Sequence, residues 1–359
     1  MANCNTIFGE FNKLIRLNDQ RRETLKEKRD DLRNRIYAGY NVVKDLEGFK
    51  HTMDFQSQGS YVMDTIINPS NADDQYDIDD GLYIIGELSR EKRPTPKAFH
   101  DWIIKLIEAG KSDFEIEEIK DKDTCVRVIY KGRNGDLNYH VDLPSYYAIN
   151  KDEPDLANKK DGWHLSNPIE FIVWFEKLIE SGFKKEYILE FFNYKDEYHN
   201  WLTDIRKRDH QLRRIVRYLK AWGDLQRGEM PPGIIMTILA GENYVEDERD
   251  DVSLLKTLQK INKYLNENGF KCFRPTNPCD EDLFENYTTK QKKYFEQALE
   301  SFIDSGEQAI SHSNLKNACM KWQKHLGMRF PCSLIEDEIE DAKSHASPAA
   351  IKSDNSKSA

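Results

Sequence analysis

Two aspartates separated by one residue, at the start of an apolar run, constrain the fold of this chain most. Asp77 and Asp79 open the run 77–85, and residues two apart on a strand leave the same face of a sheet. Neighbouring carboxylates repel each other, so such a pair is stable when a cation lies between them. The run therefore predicts a metal-binding strand, whereas Asp64 and Asp80 are expected to be surface or turn residues.

A third carboxylate follows on a later apolar segment. Asp142 lies between Val141 and Leu143, which on a strand point to the opposite face. Three carboxylates and the oxygens of a triphosphate form an oxygen-rich environment suited to Mg²⁺ or Mn²⁺. In a two-metal arrangement one ion activates the attacking hydroxyl and the other neutralises the triphosphate and the departing pyrophosphate. Asp77, Asp79 and Asp142 are thus candidate catalytic residues and ligands of two ions.

A phosphate-binding turn is indicated upstream by Gln58, Gly59 and Ser60. Glycine lets the backbone approach a phosphate closely, while the serine hydroxyl and nearby N–H groups can donate to its oxygens. The Gln58 amide could add another donor. A D-x-D or a G-S pair alone is common and mostly structural. The ordered set of G-S, D-x-D and a separate apolar-flanked aspartate is more specific.

The first half of the chain has the pattern of strands around one helix. Asn134 and Gly135 separate two strand-like runs and are typical of a hairpin turn. Residues 95–110 predict a helix between strands. An earlier, strongly charged helix, capped by Asn18 or Asp19, is expected to brace a larger body. Apolar–polar alternation marks the predicted strands at 61–63, 77–85, 125–130 and 137–143.

The second half has the pattern of helices, and strands followed by a run of helices favour an α+β fold with a separate helical lobe. The predicted helices are 168–181, 199–226, 252–268, 290–304 and 312–326. Four regions follow: an N-terminal bracing helix region (1–50), an α+β lobe (51–165), a helical lobe (166–335) and a disordered acidic and polar tail (336–359).

Composition excludes several function classes. Lysines and arginines number 53 against 63 acidic residues, a formal charge of −10, which argues against strong, non-specific nucleic-acid binding. No segment approaches the roughly 20 apolar residues that span a bilayer, and the N-terminus lacks an apolar signal region. A cytoplasmic protein without a membrane partner is expected. The six cysteines form no C-x-x-C pair, so we expect reduced thiols and no zinc site.

Together these motifs resemble the polymerase-β-like nucleotidyltransferases, and most nearly the bacterial cGAS/DncV-like nucleotidyltransferases (CD-NTases) of CBASS anti-phage systems, in the DncV-related branch. Residues 212–222 resemble the family's R-x-x-K-x-W helix, and 275–278 and 322–331 extend the likeness. The resemblance implies a polymerase-β-like nucleotidyltransferase lobe at 51–165 with a C-terminal helical lobe. Donor and acceptor nucleotides would lie in the cleft between the lobes.

The resemblance also implies an activity. ATP and GTP would be joined without a template into a cyclic di- or trinucleotide second messenger, with 3′,3′-cGAMP expected, which would activate a downstream effector. Gln58 and Ser60 would contact the donor phosphates, and Lys220 would reach them from the helical lobe. Further candidates are Arg213, Arg214 and Arg217 for phosphate and Tyr146, Tyr147 and Tyr244 for base stacking, whereas Trp222 and Trp322 are expected in the core.

Other functions stay open at this level. The same scaffold could serve an oligoadenylate-type or tRNA-type nucleotidyltransferase, a protein-adenylating antitoxin, or a non-catalytic nucleotide-binding sensor. A plain scaffolding protein would leave the carboxylates without a role. The resemblance also suggests a CBASS ubiquitin-transfer-like ligase as a partner, acting on the small C-terminal residue Ala359.

Overall fold

The computed structural model describes residues 1–43, 51–71, 74–112, 114–132, 136–150, 152–190, 195–226 and 228–335. The Asn134-Gly135 turn and the tail that ends at Ala359 lie outside these ranges, so the predictions for them stay predictions. Within the described ranges, none of the helices is both long and apolar enough to cross a membrane.

A mixed sheet carries the first half of the described chain. Its central strands run in the order β1-β2-β5-β4-β3, and β6 joins β5 to β7. Only the β2–β5 pair among these is parallel. The strands are β1 (Thr52–Gln58), β2 (Tyr76–Ile85), β3 (Glu118–Asp121), β4 (Cys125–Tyr130), β5 (Tyr139–Ala148), β6 (Asp155–Asn158) and β7 (Gly162–Leu165). The predicted antiparallel pairing of the runs around 125–130 and 137–143 is confirmed.

Helices brace the sheet and then form a second lobe. They are α1 (Asn5–Ile15), α2 (Asp19–Tyr40), α3 (Gly59–Val62), α4 (Pro96–Ala109), α5 (Pro168–Ile179), α6 (Lys195–Arg208), α7 (Gln211–Gln226), α8 (Gly233–Asn243), α9 (Asp250–Glu267), α10 (Thr289–Ser311) and α11 (Leu315–Leu326). The α+β class with a C-terminal helical lobe is confirmed.

Local sequence explains the two helices nearest the sheet. Asn18 caps α2 by accepting a hydrogen bond from the Arg21 amide, as predicted. Thr95 caps α4 in the same way, with Pro96 at the first helical position. The two helices cross closely at Gly39, where a Cβ would lie 1.9 Å from the carbonyl oxygen of Leu106. A larger residue would push α2 away from α4.

The helical lobe departs from the prediction in three places. The single helix expected at 199–226 is two helices, because Asp209 adopts a positive φ of 43° between them. Helix α8 was not predicted: its residues are mostly apolar and show little periodicity. Helix α1 was also missed, and it packs against α7 and α9 whereas α2 packs against α4.

The core of the helical lobe contains both predicted tryptophans. Trp222 and Trp322 are fully buried, and Phe8 of α1 meets the Trp322 ring edge-on at 5.2 Å. The expectation that all cysteines are reduced is wrong in the structure, which joins Cys319 to Cys332 in a disulfide. They are 13 positions apart in the sequence, so their approach depends on how the chain folds back after α11.

Candidate active site

The predicted phosphate-binding turn lies where a strand passes directly into a helix. Strand β1 ends at Gln58 and α3 begins at Gly59. Gly59 has a φ of 67°, and a Cβ there would lie 2.2 Å from Oδ2 of Asp79. Both facts require glycine, since the conformation is left-handed and the carboxylate fills the space. The turn therefore rests directly against one of the predicted metal ligands.

The parallel strands β2 and β5 bring the predicted carboxylates together. In their register Asp79 lies opposite Asp142 and Asp77 lies opposite His140. Asp77 and Asp79 share a face, because Ile78 between them points to the opposite side and is buried. The residues expected to form a three-carboxylate cluster are thus neighbours on two adjacent strands.

Asp77 and Asp79 have too little positive charge nearby to offset their burial. Burial raises the pKa of Asp79 well above its usual range, and the charges of Asp77 and Asp142 raise it further. Burial also raises the pKa of Asp77, although His140 partly opposes this. A raised carboxylate pKa means that the charged form lacks sufficient positive charge nearby. The cluster has the character of a site that a cation would complete.

Asp142 has one strong partner. Arg127 lies opposite it on β4 and donates two hydrogen bonds of 2.8 Å to its two oxygens. This bidentate contact fixes the orientation of the carboxylate. The sequence offered no local signal for it, because the two residues meet through strand pairing.

His140 belongs to the same cluster and was missed in the sequence analysis. Its Nε2 atom lies 3.9 Å from Oδ2 of Asp77 and 3.8 Å from Oδ2 of Asp142. The possible ligand atoms of these three residues all lie within 4.8 Å of one another, close enough to surround one ion. His140 precedes Asp142 by two residues, so the same-face rule applied to Asp77 and Asp79 could have found it.

Lys220 of α7 lies close enough to Asp77 and Asp79 for their charges to affect it, while its expected contact with donor phosphates stays a prediction. Its ammonium group donates to the carbonyl and hydroxyl oxygens of Thr65, each at 3.2 Å. Burial lowers the pKa of Lys220 to about 8, while Asp77 and Asp79 oppose that shift. The ammonium is therefore a desolvated cation close to two carboxylates.

A cavity of about 780 Å³ lies between the sheet and the helical lobe. One side is formed by the strand-to-helix turn and the β2 carboxylates, and the other by residues of the helical lobe. Among the residues that line it are Gln58, Ser60, Asp77, Asp79 and Lys220. Five predicted site residues from separate segments thus face one space. It is large enough for a small ligand such as a nucleotide.

Gln58 makes a contact other than the one expected. Its side-chain amide nitrogen donates to the Tyr146 hydroxyl at 3.1 Å, and its amide oxygen is buried without a hydrogen-bond partner among the described residues. Tyr146 itself stacks on Tyr83 with ring centroids 4.7 Å apart. Gln58 therefore lines the cavity while it anchors to the sheet.

The three arginines of α7 have structural partners instead of facing a ligand. Arg213 binds Glu176 through both carboxylate oxygens, and Arg214 binds Asp250. Arg217 pairs with Asp209. The expectation that these arginines bind phosphate is therefore corrected, because each of them forms an ion pair with a carboxylate of the protein.

Two proposed stacking residues are likewise engaged elsewhere. Tyr147 is buried: its hydroxyl accepts a hydrogen bond from the Leu88 amide, and its ring packs under Arg93. The Tyr244 hydroxyl donates to the Gln211 side chain at 2.8 Å. Both residues stabilise the protein interior.

Asp64 and Asp80 are not surface residues. Asp64 does lie in a turn, with a φ of 53°, yet it is fully buried against Arg16 at 2.6 Å and Arg22 at 2.5 Å. Asp80 is fully buried on the face opposite Asp79 and pairs with Arg33. The sequence analysis missed both, because the pairing arginines come from α2 and from Arg16, which directly follows α1.

Comparison with known proteins assigns both lobes to the same type. Residues 53–146 match the family model described as "Cyclic GMP-AMP synthase DncV-like, nucleotidyltransferase domain". Residues 209–337 match "Cyclic GMP-AMP synthase, C-terminal domain". A cyclic GMP-AMP synthase of Escherichia coli is 26% identical over 257 residues, which cover 66% of this chain and 57% of the relative. The chain spans about half the length of the curated relatives it matches.

Solved structures show the same fold. The GTP-bound form of Vibrio cholerae DncV aligns with a TM-score of 0.68 at 17% identity, over 91% of this chain and 96% of that one. The Bradyrhizobium diazoefficiens CD-NTase CdnG in complex with GTP aligns with a TM-score of 0.66 at 14% identity, over 91% and 96%. The polymerase-β-like lobe followed by a helical lobe is thereby confirmed.

Proposed function

This chain belongs to the DncV-like nucleotidyltransferases, and we propose that it joins nucleoside triphosphates into a cyclic dinucleotide by metal-dependent nucleotidyl transfer. The observation that carries the proposal is the cluster of Asp77, Asp79 and Asp142 beside the Gly59-Ser60 turn, in which the pKa values of Asp77 and Asp79 are raised. A structural carboxylate cluster would be paired internally. Here Asp77 and Asp79 line a cavity and have too little positive charge around them.

The residues present fit divalent ions. Asp77, Asp79 and Asp142 would hold Mg²⁺ or Mn²⁺, since hard cations prefer carboxylate oxygens. Two bound ions would activate the attacking hydroxyl and neutralise the leaving pyrophosphate. The raised pKa values of Asp77 and Asp79 support this fit, because a nearby cation favours the charged form of a carboxylate.

The chain itself would bind and orient the donor triphosphate. The Ser60 hydroxyl and the backbone N–H groups at the start of α3 would donate to phosphate oxygens. Lys220 would add positive charge from the helical lobe, on the opposite side of the cavity. Donors fixed in advance stabilise charge that develops in the transition state.

We propose further that the substrates are ATP and GTP and that the product is 3′,3′-cGAMP. Support comes from relatives named cyclic GMP-AMP synthases that match both lobes. In a cytoplasmic anti-phage system the product would activate an effector protein. These finer statements rest on the family, whereas the transfer chemistry also rests on the site geometry.

The test is incubation of the protein with all four nucleoside triphosphates and Mg²⁺ or Mn²⁺, with products identified by mass spectrometry. A cyclic dinucleotide of A and G is expected. The Asp77→Asn variant should form none, and the matched exposed variant Asp101→Asn should form as much as the wild type. Linear oligoadenylate or addition to RNA would contradict the proposal, and no product from any triphosphate would do so too.

A further inference from the structure

His140 has a side chain that the proposed three-carboxylate site does not use. It is 7% exposed and lies on β5, two residues before Asp142. Its Nε2 atom has no hydrogen-bond partner among the described residues. A buried polar atom without a partner is uncommon in a folded protein and calls for a specific cause.

The contact on the other side of the ring fixes where its proton lies. Nδ1 of His140 is 2.9 Å from Oε1 of Gln75. An amide oxygen only accepts hydrogen bonds, so Nδ1 carries the hydrogen and donates it. In the neutral ring the lone pair is then on Nε2.

That lone pair points between two carboxylates. The nearest oxygens of Asp77 and Asp142 lie 3.9 and 3.8 Å from Nε2. Oδ2 of Asp142 also accepts a hydrogen bond from Arg127, but Nε2 has no donor among the described residues, and a positive charge among the three atoms would stabilise all of them. All three ligand atoms lie within 4.8 Å of one another, a spacing that one cation can span.

We propose that Nε2 of His140 is a direct ligand of one active-site ion, together with Asp77 and Asp142. This inference rests on the proposed function, since the ion is one of those that serve nucleotidyl transfer. An imidazole ligand favours a transition-series ion, because Mg²⁺ prefers oxygen donors. The site therefore selects Mn²⁺ over Mg²⁺.

Gln75 is the positioning residue for this ligand. Metal-bound histidines generally donate their second ring N–H to an oxygen, which orients the ring and sets the tautomer. The Gln75 amide oxygen provides this contact from the residue just before β2. Nδ1 of the imidazole then donates to Gln75 and Nε2 binds the ion.

The test is pulsed electron paramagnetic resonance of Mn²⁺ bound to the full-length protein. The wild type should show ¹⁴N modulation from a directly bound imidazole, and ¹⁵N labelling of histidine should change its frequency. His140→Asp should lose the nitrogen signal and keep an oxygen ligand. His164→Asn, a change on β7 at a residue outside the cavity lining, should keep the signal.

The second measurement is the ratio of Mg²⁺ to Mn²⁺ dissociation constants. His140→Asp should lower that ratio by about tenfold, because an oxygen replaces the nitrogen ligand. Gln75→Leu should weaken Mn²⁺ binding by about 10–100-fold and keep the nitrogen signal, as expected when only the orienting contact is lost.

The outcomes separate this inference from the proposed function. Mn²⁺ binding that depends on Asp77 but shows no imidazole nitrogen would overturn the His140 assignment and leave the transfer chemistry intact. An unchanged ion ratio in His140→Asp would overturn it as well. Mn²⁺ binding that is indifferent to Asp77→Asn would overturn both proposals.

Discussion

Two groups of buried carboxylates in this protein differ in the positive charge around them. The arginine-paired carboxylates, Asp64 and Glu190, lie against helices α1 and α2. The cleft carboxylates are Asp77 and Asp79, which line the cavity, and Asp142, which lies opposite Asp79 on β5. Despite burial, arginines lower the pKa of Asp64 and bring that of Glu190 to about 2, whereas the pKa values of Asp77 and Asp79 are raised.

The number of nearby arginines accounts for the difference. Arg29 and Arg33 both contact Glu190, at 3.1 and 2.8 Å. Glu176 has a single arginine partner, and there burial still raises the pKa. At Glu176 one guanidinium does not outweigh burial, whereas at Glu190 two guanidinium groups do. Burial likewise outweighs the nearby positive charge at Asp77 and Asp79, since Arg127 gives its two hydrogen bonds to Asp142.

The two groups of carboxylates have different roles in the protein. Glu190 accepts a hydrogen bond from the Ser57 amide at 2.7 Å, next to the residue that opens the phosphate-binding turn. The arginine-paired group thus holds the turn in place. The cleft group is left short of positive charge, which divalent ions would supply. Changes in the first group should affect stability, and changes in the second should affect catalysis.

The largest expected effect is loss of activity in Asp79→Asn. Loss of an ion that stabilises transition-state charge removes several kcal/mol, which is on the order of 10³-fold or more in rate. Stability should stay the same or rise, because repulsion with Asp77 and Asp142 decreases. Product assays and thermal unfolding of the same preparation check both. If Asp79→Asn still forms product, or if it is strongly destabilised, the proposed difference between the cleft carboxylates and the arginine-paired carboxylates is wrong.

The reverse result is expected for Asp64→Asn. Breaking a buried ion pair from one side costs about 3–5 kcal/mol of folding free energy, and Asp64 has several arginine partners. The exposed Lys97–Asp101 pair supplies the control Asp101→Asn, which should cost about 0–1 kcal/mol. Urea denaturation measures both. If the two variants are equally stable, the arginine-paired group does not stabilise the fold as described.

A smaller effect on catalysis is expected from Ser60→Ala. One phosphate donor is lost from a turn that otherwise keeps its geometry, since Gly59 and α3 are unchanged. The KM for the donor triphosphate should rise and turnover should fall, by up to about 10²-fold in rate. Steady-state kinetics test this. Kinetics identical to the wild type would mean that the turn has no contact with the triphosphate.

The smallest effect concerns the pH dependence of stability. The pKa of Glu190 is about 2 in the folded protein and 4.5 is its ordinary value. A depressed folded pKa contributes stability that is present above pH 4.5 and is lost as pH falls toward about 2. Glu190→Gln removes this titration, so its stability should fall less steeply with acid over that window. Unfolding free energies measured from pH 7 to pH 3 would refute the idea if the two curves run parallel.

The sequence predicted the parts of the site that depend on local pattern. Alternation along β2 placed Asp77 and Asp79 on one face, and the G-S pair was predicted as a turn, although the strand expected at 61–63 is wrong because Gly59–Val62 form α3. Lys220 was located from the resemblance, and the structure brings it to the same cavity. Each of these sequence patterns lies within a few residues of the side chain that it predicts.

The missed features depend on contacts between distant segments. Arg217 lies within 3.5 Å of Asp64 although 153 residues separate them, and no local pattern reports that. The buried pairing of Asp80 with Arg33 and the Cys319–Cys332 disulfide have the same cause. His140 is different, because its spacing from Asp142 was visible and its importance emerged only with the strand register.

The most direct test of the central claim is calorimetric titration of Mn²⁺ in the presence of a non-hydrolysable ATP analogue. The claim is that the cleft carboxylates are left short of positive charge so that divalent ions complete them. The wild type should bind two ions, and the Asp77→Asn, Asp79→Asn double variant should lose both while Asp64→Asn retains them if folded. Equal Mn²⁺ binding by the wild type and the double variant would contradict the account.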